Sequence, residues 1–257
     1  MQHTAPLKPT GLIRDLWETA LGLLVIDTVN SNSWESLVDN ILGRATADVI
    51  LAQEGRLKDD DAANSAYRGA KRLRWTASVG LALRTLADRA SGGCAVLTRC
   101  GSVISSVAGQ DVLRESLQHR MRHAWVGRVF RGGIHCIRVY PRDSEGATEA
   151  NLQVLLEVAT LLKTLEGPWA VGGDFNLTPG ELAATNWHTW VSGRIKAPDR
   201  ATRMNSKYDY FVVDRSIDHA VAGVQVLTDG GLYPHPPCRL CHRANKRRKK
   251  IRALARL

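Results

Sequence analysis

The sequence predicts an α/β or α+β fold. Apolar runs of strand length alternate with longer helical patterns along the 257 residues. The chain is 44% hydrophobic and 23% charged, which is typical of a soluble globular protein and excludes disorder over its whole length. A chain of this size can build a single core or two small domains. The five cysteines lie mostly in apolar, strand-like segments, which favours reduced thiols over a disulfide framework.

The first elements of the chain form a predicted βαβ unit. Leu21–Val29 and Asp48–Ala52 are apolar runs of strand length. Ser33–Leu42 lies between them with a helical pattern, and its first residue is a typical N-cap. Two strands joined by one short helix are typical of a parallel pair. The polar stretch Leu57–Arg72 is expected to be helical.

The middle of the chain is predicted to add further strands. Three segments separated by glycine turns indicate an antiparallel meander, namely Trp75–Ser78, Cys94–Leu97 and Ser102–Val107. Ile134–Tyr140 alternates apolar and polar residues, which indicates a strand with one solvent-exposed face. His119 and His123 are spaced to share a helix face, where the neighbouring arginines favour an exposed basic surface over a metal site.

A long amphipathic helix and four strands are predicted in the last part of the chain. Apolar residues recur every three or four positions between Thr148 and Leu165, and Gly167 follows them. Trp169–Val171 is a short buried strand that ends in two glycines, which places the polar segment Asp174–Thr178 at its carboxyl end. The remaining strands are expected at Tyr208–Val213, Ala222–Leu227 and, more weakly, Cys238–Leu240.

Basic residues are concentrated at the end of the chain. Of the 35 Lys and Arg residues that give the chain its net charge of +10, nine lie between Arg239 and Leu257, where there is no Asp or Glu. The densest run consists of Lys246, Arg247, Arg248, Lys249 and Lys250. Such a run can act as a nuclear-import signal or bind a phosphate backbone, and it can also be a solvated end that binds nothing.

We expect three parts in the chain, namely an N-terminal extension over 1–19, a folded domain over 20–243 and a basic tail over 244–257. No apolar run approaches the roughly 18 residues that a membrane span needs. The polar start of the chain does not fit a secretory signal. The sequence therefore predicts an intracellular protein without a membrane partner, and a nuclear one if the tail is an import signal.

Gly172–Asn176 is the segment with the clearest chemical character. Asp174 and Asn176 lie two positions apart on an extended segment, so their side chains can point the same way. This arrangement places a base or metal ligand beside a neutral hydrogen-bond donor, as hydrolysis at a phosphate requires. The same residues can instead form an Asx turn that has no chemical role.

Other polar residues lie at the ends of predicted strands in the same way, namely Asn30, Glu54, Tyr140, Asp209 and His235. With these residues in this order, the chain resembles the endonuclease/exonuclease/phosphatase superfamily, which includes abasic-site endonucleases, pancreatic-type deoxyribonucleases and the endonuclease domains of non-LTR retrotransposons. The resemblance covers about Val25 to Leu240 and rests on GDFN at 173–176, LAQE at 51–54, YDYFVV at 208–213 and VNSNSW at 29–34. It implies a four-layer α/β/β/α sandwich of two mixed sheets flanked by helices.

The resemblance also implies a metal-dependent phosphodiesterase that uses Mg²⁺ or Mn²⁺. Glu54 would bind the metal, and Asn30 would help to place it. Asp174 would orient or deprotonate the attacking water, while Asn176 would hydrogen-bond the phosphoryl oxygens.

Three further residues complete the implied site. Tyr140 would contact the phosphate, and His235, held in orientation by Asp209, would stabilise the charge that builds on it. Nucleic acid is the favoured substrate and partner, with DNA foremost, because the basic tail would attract a polyanion.

The chain departs from the family at one important position. The residue before the family's terminal histidine is almost always Asp, and here it is Pro234. Asn32 likewise stands where the family often has Asp. Either the metal held by Glu54 suffices, or Asp229 substitutes, or the chain is a catalytically impaired, nucleic-acid-binding remnant of a mobile element. A phosphatase or lipid phosphodiesterase on the same fold is a further alternative.

Three other motifs carry less weight. His219 lies in a Ser-Ile-Asp-His segment that imitates the family's last motif, but it follows Asp209 too closely to leave room for the strand between them. Cys238–His242 has haem-attachment spacing without an export signal. Trp187 and Trp190, expected in a loop, can stack on a base, although such pairs more often pack in a core.

Overall fold

A computed structural model describes most of the chain, namely residues 22–85, 90–100, 102, 104–105, 117–127, 132–143, 145–228, 232 and 234–243. The strands are β1 Leu23–Asn30, β2 Val49–Gln53, β3 Trp75–Gly80, β4 Leu83–Arg84, β5 Ala90–Ser91, β6 Cys94–Arg99, β7 Ile104–Ser105, β8 Met121–Val126, β9 Ile134–Val139, β10 Trp169–Asp174, β11 Gly193–Lys196, β12 Asp209–Asp214, β13 Val221–Val226 and β14 Cys238–Arg243. The α-helices are α1 Trp34–Leu37, α2 Asp60–Arg72, α3 Glu149–Thr164, α4 Pro179–Ala184 and α5 Trp187–Trp190. The expected basic tail and N-terminal extension lie outside the described residues.

Two six-stranded mixed sheets form the centre of the fold. The first sheet has the order β13-β14-β1-β2-β6-β3, and the second has the order β11-β12-β10-β9-β8-β7. β1 and β2 are parallel, as the predicted βαβ unit requires, and β9 and β10 form the parallel pair of the second sheet. The predicted fold class is therefore confirmed.

Three apolar layers hold the sheets and helices together. Side chains that alternate along each strand are buried on opposite faces, as Leu24 and Val25 show on β1. Leu24 packs between the two sheets, and Val25 packs on the outer face of the first sheet with residues of α1 and α2. On the other side of the molecule, α3 covers the outer face of the second sheet with Val158 and Leu162.

The helix after β1 begins where the sequence predicts. The Ser33 side chain accepts a hydrogen bond of 3.1 Å from the backbone N–H of Ser36, which satisfies one of the free amides of the first turn. The α-helical part ends at Leu37 and continues as a π-helical turn over Val38–Leu42. The predicted helix over Ser33–Leu42 is thus a composite of two helical forms.

The expectation of a solvent-exposed face on Ile134–Tyr140 is wrong. Every residue of β9 is buried, because one face packs between the sheets and the other lies under α3. The two long polar side chains of the strand each have an internal hydrogen-bond partner. His135 shares a hydrogen bond of 2.9 Å with the Glu166 carbonyl, and Arg138 donates to the Arg120 carbonyl at 3.1 Å.

The expectation that His119 and His123 share an exposed helix face is also wrong. His123 lies on β8 and is completely buried, while His119 precedes this strand and is only 8% exposed. The two histidines His123 and His135 face each other across β8 and β9, with Nε2 and Nδ1 3.0 Å apart. Burial and the neighbouring His135 lower the pKa of His123 to about 3.

Two further local predictions need correction. The expected antiparallel meander forms only in part: β3 and β6 pair antiparallel in the first sheet, but β7, within Ser102–Val107, pairs with β8 in the second sheet. Trp187 and Trp190 lie in the short helix α5 rather than in a loop. The Trp187 indole N–H donates to the Leu155 carbonyl at 2.6 Å, which ties α5 to α3. Among the helices of the described residues, none is long and apolar enough to cross a membrane.

Candidate active site

The strand ends predicted to carry polar residues meet at one edge of the sandwich. β1 and β2 run parallel in the first sheet, so Asn30, which ends β1, and Glu54, which follows β2, lie at the same edge of that sheet. In the second sheet, Asp174 ends β10 directly opposite Asp209, which begins the antiparallel β12. The Asn30 amide links the two sheets, because its Nδ2 lies 3.5 Å from Asp174 Oδ2. The fold therefore brings together residues from distant parts of the sequence.

Glu54 is held by three hydrogen-bond donors. The Tyr140 hydroxyl donates to Oε1, the Asn30 Nδ2 group donates to the same oxygen at 3.3 Å, and the Arg56 guanidinium donates to Oε2 at 2.6 Å. Burial by itself raises the pKa of Glu54, but these hydrogen bonds outweigh burial and the pKa is lowered. Glu54 is therefore an ionised carboxylate at neutral pH, fixed in one position.

Asp174 has a different electrostatic environment. Its side chain is buried, Oδ1 accepts the Asn176 backbone N–H at 3.0 Å, and Oδ2 lies 3.7 Å from His235 Nδ1. Burial, followed by the nearby Asp209 carboxylate, raises the pKa of Asp174 to about 7. At neutral pH this carboxyl group can therefore exchange a proton.

His235 and Asp209 form a buried pair beside Asp174. His235 Nδ1 lies 3.1 Å from Asp209 Oδ2. Although burial lowers the pKa of His235, the hydrogen bond and the charge of Asp209 raise it overall, with a further contribution from Asp174. Sequence reasoning missed Thr202, whose Oγ1 accepts the backbone N–H groups of Tyr208 and Asp209 at 2.9 Å each. An isolated threonine in a loop gave no signal of this contact.

Asn176 forms the Asx turn that its sequence motif allowed. The bond from its backbone N–H to Asp174 is an Asx turn, and Asn176 takes the left-handed conformation with φ 49°. Its Nδ2 donates to the Pro141 carbonyl at 2.9 Å, while the buried Oδ1 has no hydrogen-bond partner within the described part of the chain. Gly173 is required before this turn, because a Cβ atom there would lie 1.9 Å from the Val139 carbonyl oxygen.

The competing motifs lie away from this edge or have structural contacts. His219 is in a short 3₁₀ helix after the end of β12, whereas Asp209 begins that strand at the site. The Asn32 side chain is exposed. In the haem-like motif, Cys238 is buried between the sheets, and the His242 ring shares a hydrogen bond of 2.9 Å with the Ile217 carbonyl.

The geometry includes donors that fit a metal ion. Among the described residues, Asp174, Asp209 and His235 each offer one ligand atom, and these atoms lie within 4.8 Å of one another. The ionised Glu54 carboxylate and the Asn176 Oδ1 atom without a partner add oxygen donors, which hard divalent cations prefer. The residues present therefore fit a divalent cation.

Comparison with known proteins gives a family match over most of the chain. The model of the Endonuclease/Exonuclease/phosphatase family matches residues 27–236. The search of curated proteins finds no match.

Several solved structures share the fold at low sequence identity. The 3′ phosphatase NExo from Neisseria, bound to a product DNA hairpin, has a TM-score of 0.61 and 16% identity over 84% of this chain and 98% of its own. An AP endonuclease from Archaeoglobus fulgidus has a TM-score of 0.57 and 13% identity, covering 85% of this chain and 99% of its own. The endonuclease domain of TRAS1, a telomere-specific non-LTR retrotransposon, has a TM-score of 0.62 and 12% identity, covering 87% of this chain and 100% of its own.

Proposed function

Because the chain belongs to the endonuclease/exonuclease/phosphatase family, whose members are generally phosphoric-ester hydrolases, we propose that it is a metal-dependent endonuclease acting on nucleic acid, with DNA foremost. The observation that carries this proposal is the pairing of a carboxyl group that titrates near neutral pH with a histidine–carboxylate pair at one buried edge. Asp174 Oδ2 lies 3.7 Å from His235 Nδ1 there, and Asp209 contacts the same ring. Relatives solved as an AP endonuclease and a retrotransposon endonuclease support a nucleic-acid substrate.

Asp174 is the proposed general base. With a pKa of about 7, it is substantially ionised at neutral pH and basic enough to accept a proton from water. Asn176 lies beside it, and its Oδ1, which has no hydrogen-bond partner among the described residues, can hold the second hydrogen of the same water. The amide hydrogen of Asn176 that Pro141 does not use is then available to a phosphoryl oxygen. Asp174 and Asn176 together orient the attacking water.

His235 is the proposed electrostatic stabiliser. Its raised pKa favours the protonated ring, and Asp209 holds one ring nitrogen so that the other can face the phosphoryl group. The positive ring would stabilise the negative charge that builds on the phosphoryl oxygens during attack. Asp209 is a positioning residue in this scheme, and Thr202 fixes the backbone from which Asp209 extends.

Glu54 and Asn30 are the residues that we propose to hold the metal, with Mg²⁺ or Mn²⁺ as the ion. A divalent cation bound there would neutralise charge on the phosphoryl group. Tyr140 orients Glu54 by donating a hydrogen bond to its carboxylate. Arg56 is paired with Glu54 and would release this carboxylate when Glu54 binds a cation. Without substrate, the Tyr140 hydroxyl therefore contacts the Glu54 carboxylate. A contact of Tyr140 with the phosphate would form only when substrate binds.

Pro234 is the specific observation that favours a second candidate. It removes the carboxylate that the family has next to His235, and a chain with this change can retain nucleic-acid binding while losing cleavage. In this alternative, the chain is a catalytically impaired remnant of a mobile element. Lys246–Lys250, outside the described residues, would supply phosphate contacts in either case. A nuclear location is part of the proposal only if this run acts as an import signal.

A plasmid-nicking assay separates the two candidates. We expect the purified protein to nick supercoiled DNA with Mg²⁺ or Mn²⁺ and not with EDTA, and Glu54→Gln to lose this activity. Glu35→Gln, in the first turn of α1, is a matched control. Salt-sensitive binding of DNA without nicking, together with activity gained by Pro234→Asp, would establish the impaired remnant instead.

A further inference from the structure

A group of basic residues lies on the sandwich opposite to the edge that carries the candidate active site, here called the active edge. The group surrounds the buried Trp75 and is here called the Trp75 cluster. Its members are Arg44, Lys71, Arg72, Arg74 and Arg99. We propose that the Trp75 cluster binds the phosphate backbone of a second nucleic-acid segment, separate from the segment at the active edge. The inference goes beyond the proposed function, because it concerns a surface that takes no part in the proposed chemistry.

Strand pairing places the Trp75 cluster away from the active edge. β3 and β6 are antiparallel, with Gly80 opposite Cys94 and Trp75 opposite Arg99. Cys94 is also paired with Gln53, which ends β2 at the active edge. Trp75 and Arg99 therefore lie roughly 17 Å from that edge along the strands, at about 3.3 Å per residue.

Trp75 brings three of the cations together. Its buried indole N–H donates to the Leu42 carbonyl at 2.9 Å, which brings the turn that carries Arg44 to the start of β3. The Arg99 guanidinium carbon lies 4.3 Å from the centre of the Trp75 ring. Arg74 directly precedes Trp75 in the chain. One buried side chain therefore gathers cations from three separate segments.

Most of the charge of the Trp75 cluster faces solvent without a counter-ion. The four members outside β6 are exposed, namely Arg44, Lys71, Arg72 and Arg74. Within the described part of the chain, none of these four forms an ion pair with a carboxylate. Asp48 is a carboxylate at the same end of the first sheet, and its Oδ2 accepts a backbone N–H of β1 at 2.9 Å. The cluster is therefore positively charged overall.

The dipole of α2 explains only part of this charge. Cations in the last turn of a helix interact favourably with its carboxyl end, and Lys71 and Arg72 occupy that turn. Arg74 lies beyond the helix in the left-handed conformation, with φ 63°, and Arg44 and Arg99 belong to other segments. Cations from several segments that converge on one surface form the electrostatic footprint of a polyanion-binding site.

The composition of the Trp75 cluster favours nucleic acid over a lipid surface. Four of its five cations are arginines, whose guanidinium groups bind phosphate through two parallel hydrogen bonds. Binding at a membrane interface also needs apolar side chains that enter the lipid. Within the described residues, the one exposed large apolar side chain of α2 is that of Tyr67, and its hydroxyl accepts the Val79 N–H at 3.3 Å. The cluster therefore offers phosphate-binding groups without an apolar anchor.

Acidic residues lie between the Trp75 cluster and the active edge. α2 covers 13 residues, or roughly 20 Å, and its first turn follows the exposed Asp59 with the exposed Asp60 and Asp61. This end of α2 is near the active edge, because the Leu57 carbonyl accepts the Ala82 N–H at 2.8 Å just after β3 ends there. Three carboxylates repel a phosphate backbone that runs along this face from one edge to the other. The arrangement favours a second segment over one continuous backbone.

Bridging of two short DNA duplexes tests the proposal with the full chain. Each duplex has about ten base pairs, one helical turn. One duplex is immobilised and the other is fluorescent, and retention of the fluorescent duplex is measured in EDTA at several salt concentrations. The cluster variant is Arg72→Gln with Arg74→Gln. The control variant, Arg194→Gln with Arg215→Gln, removes the same charge from two exposed arginines of the second sheet and the turn after β12.

Thermal unfolding verifies that each variant is folded. If the cluster variant is not folded, Lys71→Glu takes its place, because this exposed side chain has no contact to lose among the described residues.

We expect wild type and the control variant to retain the second duplex, and the cluster variant to bind it about tenfold more weakly, the size expected for lost hydrogen bonds to a charged group. The loss of two phosphate contacts should also reduce the slope of log Kd against log salt by about 1.8.

Equal retention by the cluster and control variants would overturn the proposal, as would the absence of bridging by all three proteins. Phosphatidylserine vesicles that bind wild type and not the cluster variant, with equal duplex retention by both, would assign the cluster to a lipid surface instead. Because binding in EDTA needs no cleavage, a failed nicking assay leaves this result readable, and the two proposals fail separately.

Discussion

Asp209 Oδ2 and His235 Nδ1 lie 3.1 Å apart, although the two residues are 26 positions apart in the chain. Asp209 begins β12 of the second sheet, whereas His235 precedes β14 of the first sheet. Their contact therefore joins the two sheets at the edge where Asn30 also reaches Asp174. The same contact that orients the histidine depends on correct packing of the whole sandwich.

Asp209→Asn should lower the pKa of His235. The hydrogen bond and negative charge of Asp209 raise this pKa in the folded protein, and both are lost or weakened in the amide. We expect cleavage at neutral pH to fall about 100-fold or more, because the ring loses both charge and orientation. An NMR titration of the His235 ring measures the shift, and an unchanged pKa would contradict the proposed pairing.

The rate of cleavage should rise with pH through the pKa of Asp174, which is about 7. The base form of Asp174 becomes more populated as pH increases, and the rate should fall again when His235 loses its proton, giving a bell-shaped profile. Asp174→Asn should lower the rate by about 10² to 10⁴ and remove the rising limb. Asp214→Asn, at the opposite end of β12, is the control that should keep the wild-type profile.

Tyr140→Phe should lower the affinity for the metal without removing the proposed metal ligand Glu54. The variant keeps the ring but loses the hydroxyl that donates to Glu54. Loss of a group that orients a metal ligand typically costs about 10- to 100-fold in metal affinity or activity. Titration of the nicking rate with Mg²⁺ should show a higher half-saturating concentration. An unchanged Mg²⁺ curve would show that Tyr140 does not act through Glu54.

The buried histidine pair of β8 and β9 should make stability depend on pH. His123 has a pKa of about 3 in the folded protein and an ordinary value of 6.5, so below pH 6.5 the unfolded state binds the additional proton. The free energy of unfolding therefore falls as pH decreases from about 6.5 towards 3, and not above that range. His123→Phe should reduce the loss between pH 7 and 5 by about 1 to 2 kcal/mol. Urea unfolding at the two pH values tests this, and an equal loss in the variant would refute it.

The sequence predicted well which polar residues lie at strand ends in the candidate site, because polar residues interrupt apolar runs there. Asp174 and Asn176 stand out after two glycines, and Glu54 follows five buried residues. These signals are local and come from single segments. The order of the segments then indicated the family, which the match over 27–236 confirms.

The sequence did not predict where internal polar residues of the middle strands lie. Arg138 and His135 suggested a solvent-exposed face, but both faces of β9 are covered and backbone carbonyls accept their hydrogen bonds. Likewise, the Nε2 atom of His123 shares a hydrogen bond with His135 on the neighbouring strand. Such contacts depend on strand pairing across the sheet, which periodicity within one segment cannot reveal. The hydrogen bond from Arg120 Nη2 to Ser91 Oγ has the same origin, since these two residues approach only in the folded chain.

The most direct test of the central claim is the rate at which wild type and Asp174→Asn convert supercoiled plasmid to the nicked form, with Mg²⁺ and with EDTA. The proposed endonuclease predicts nicking by wild type in Mg²⁺ alone, and a rate for Asp174→Asn that is lower by a factor of at least about 100. Equal nicking by the two proteins, or nicking by wild type that persists in EDTA, would contradict a metal-dependent site built around Asp174.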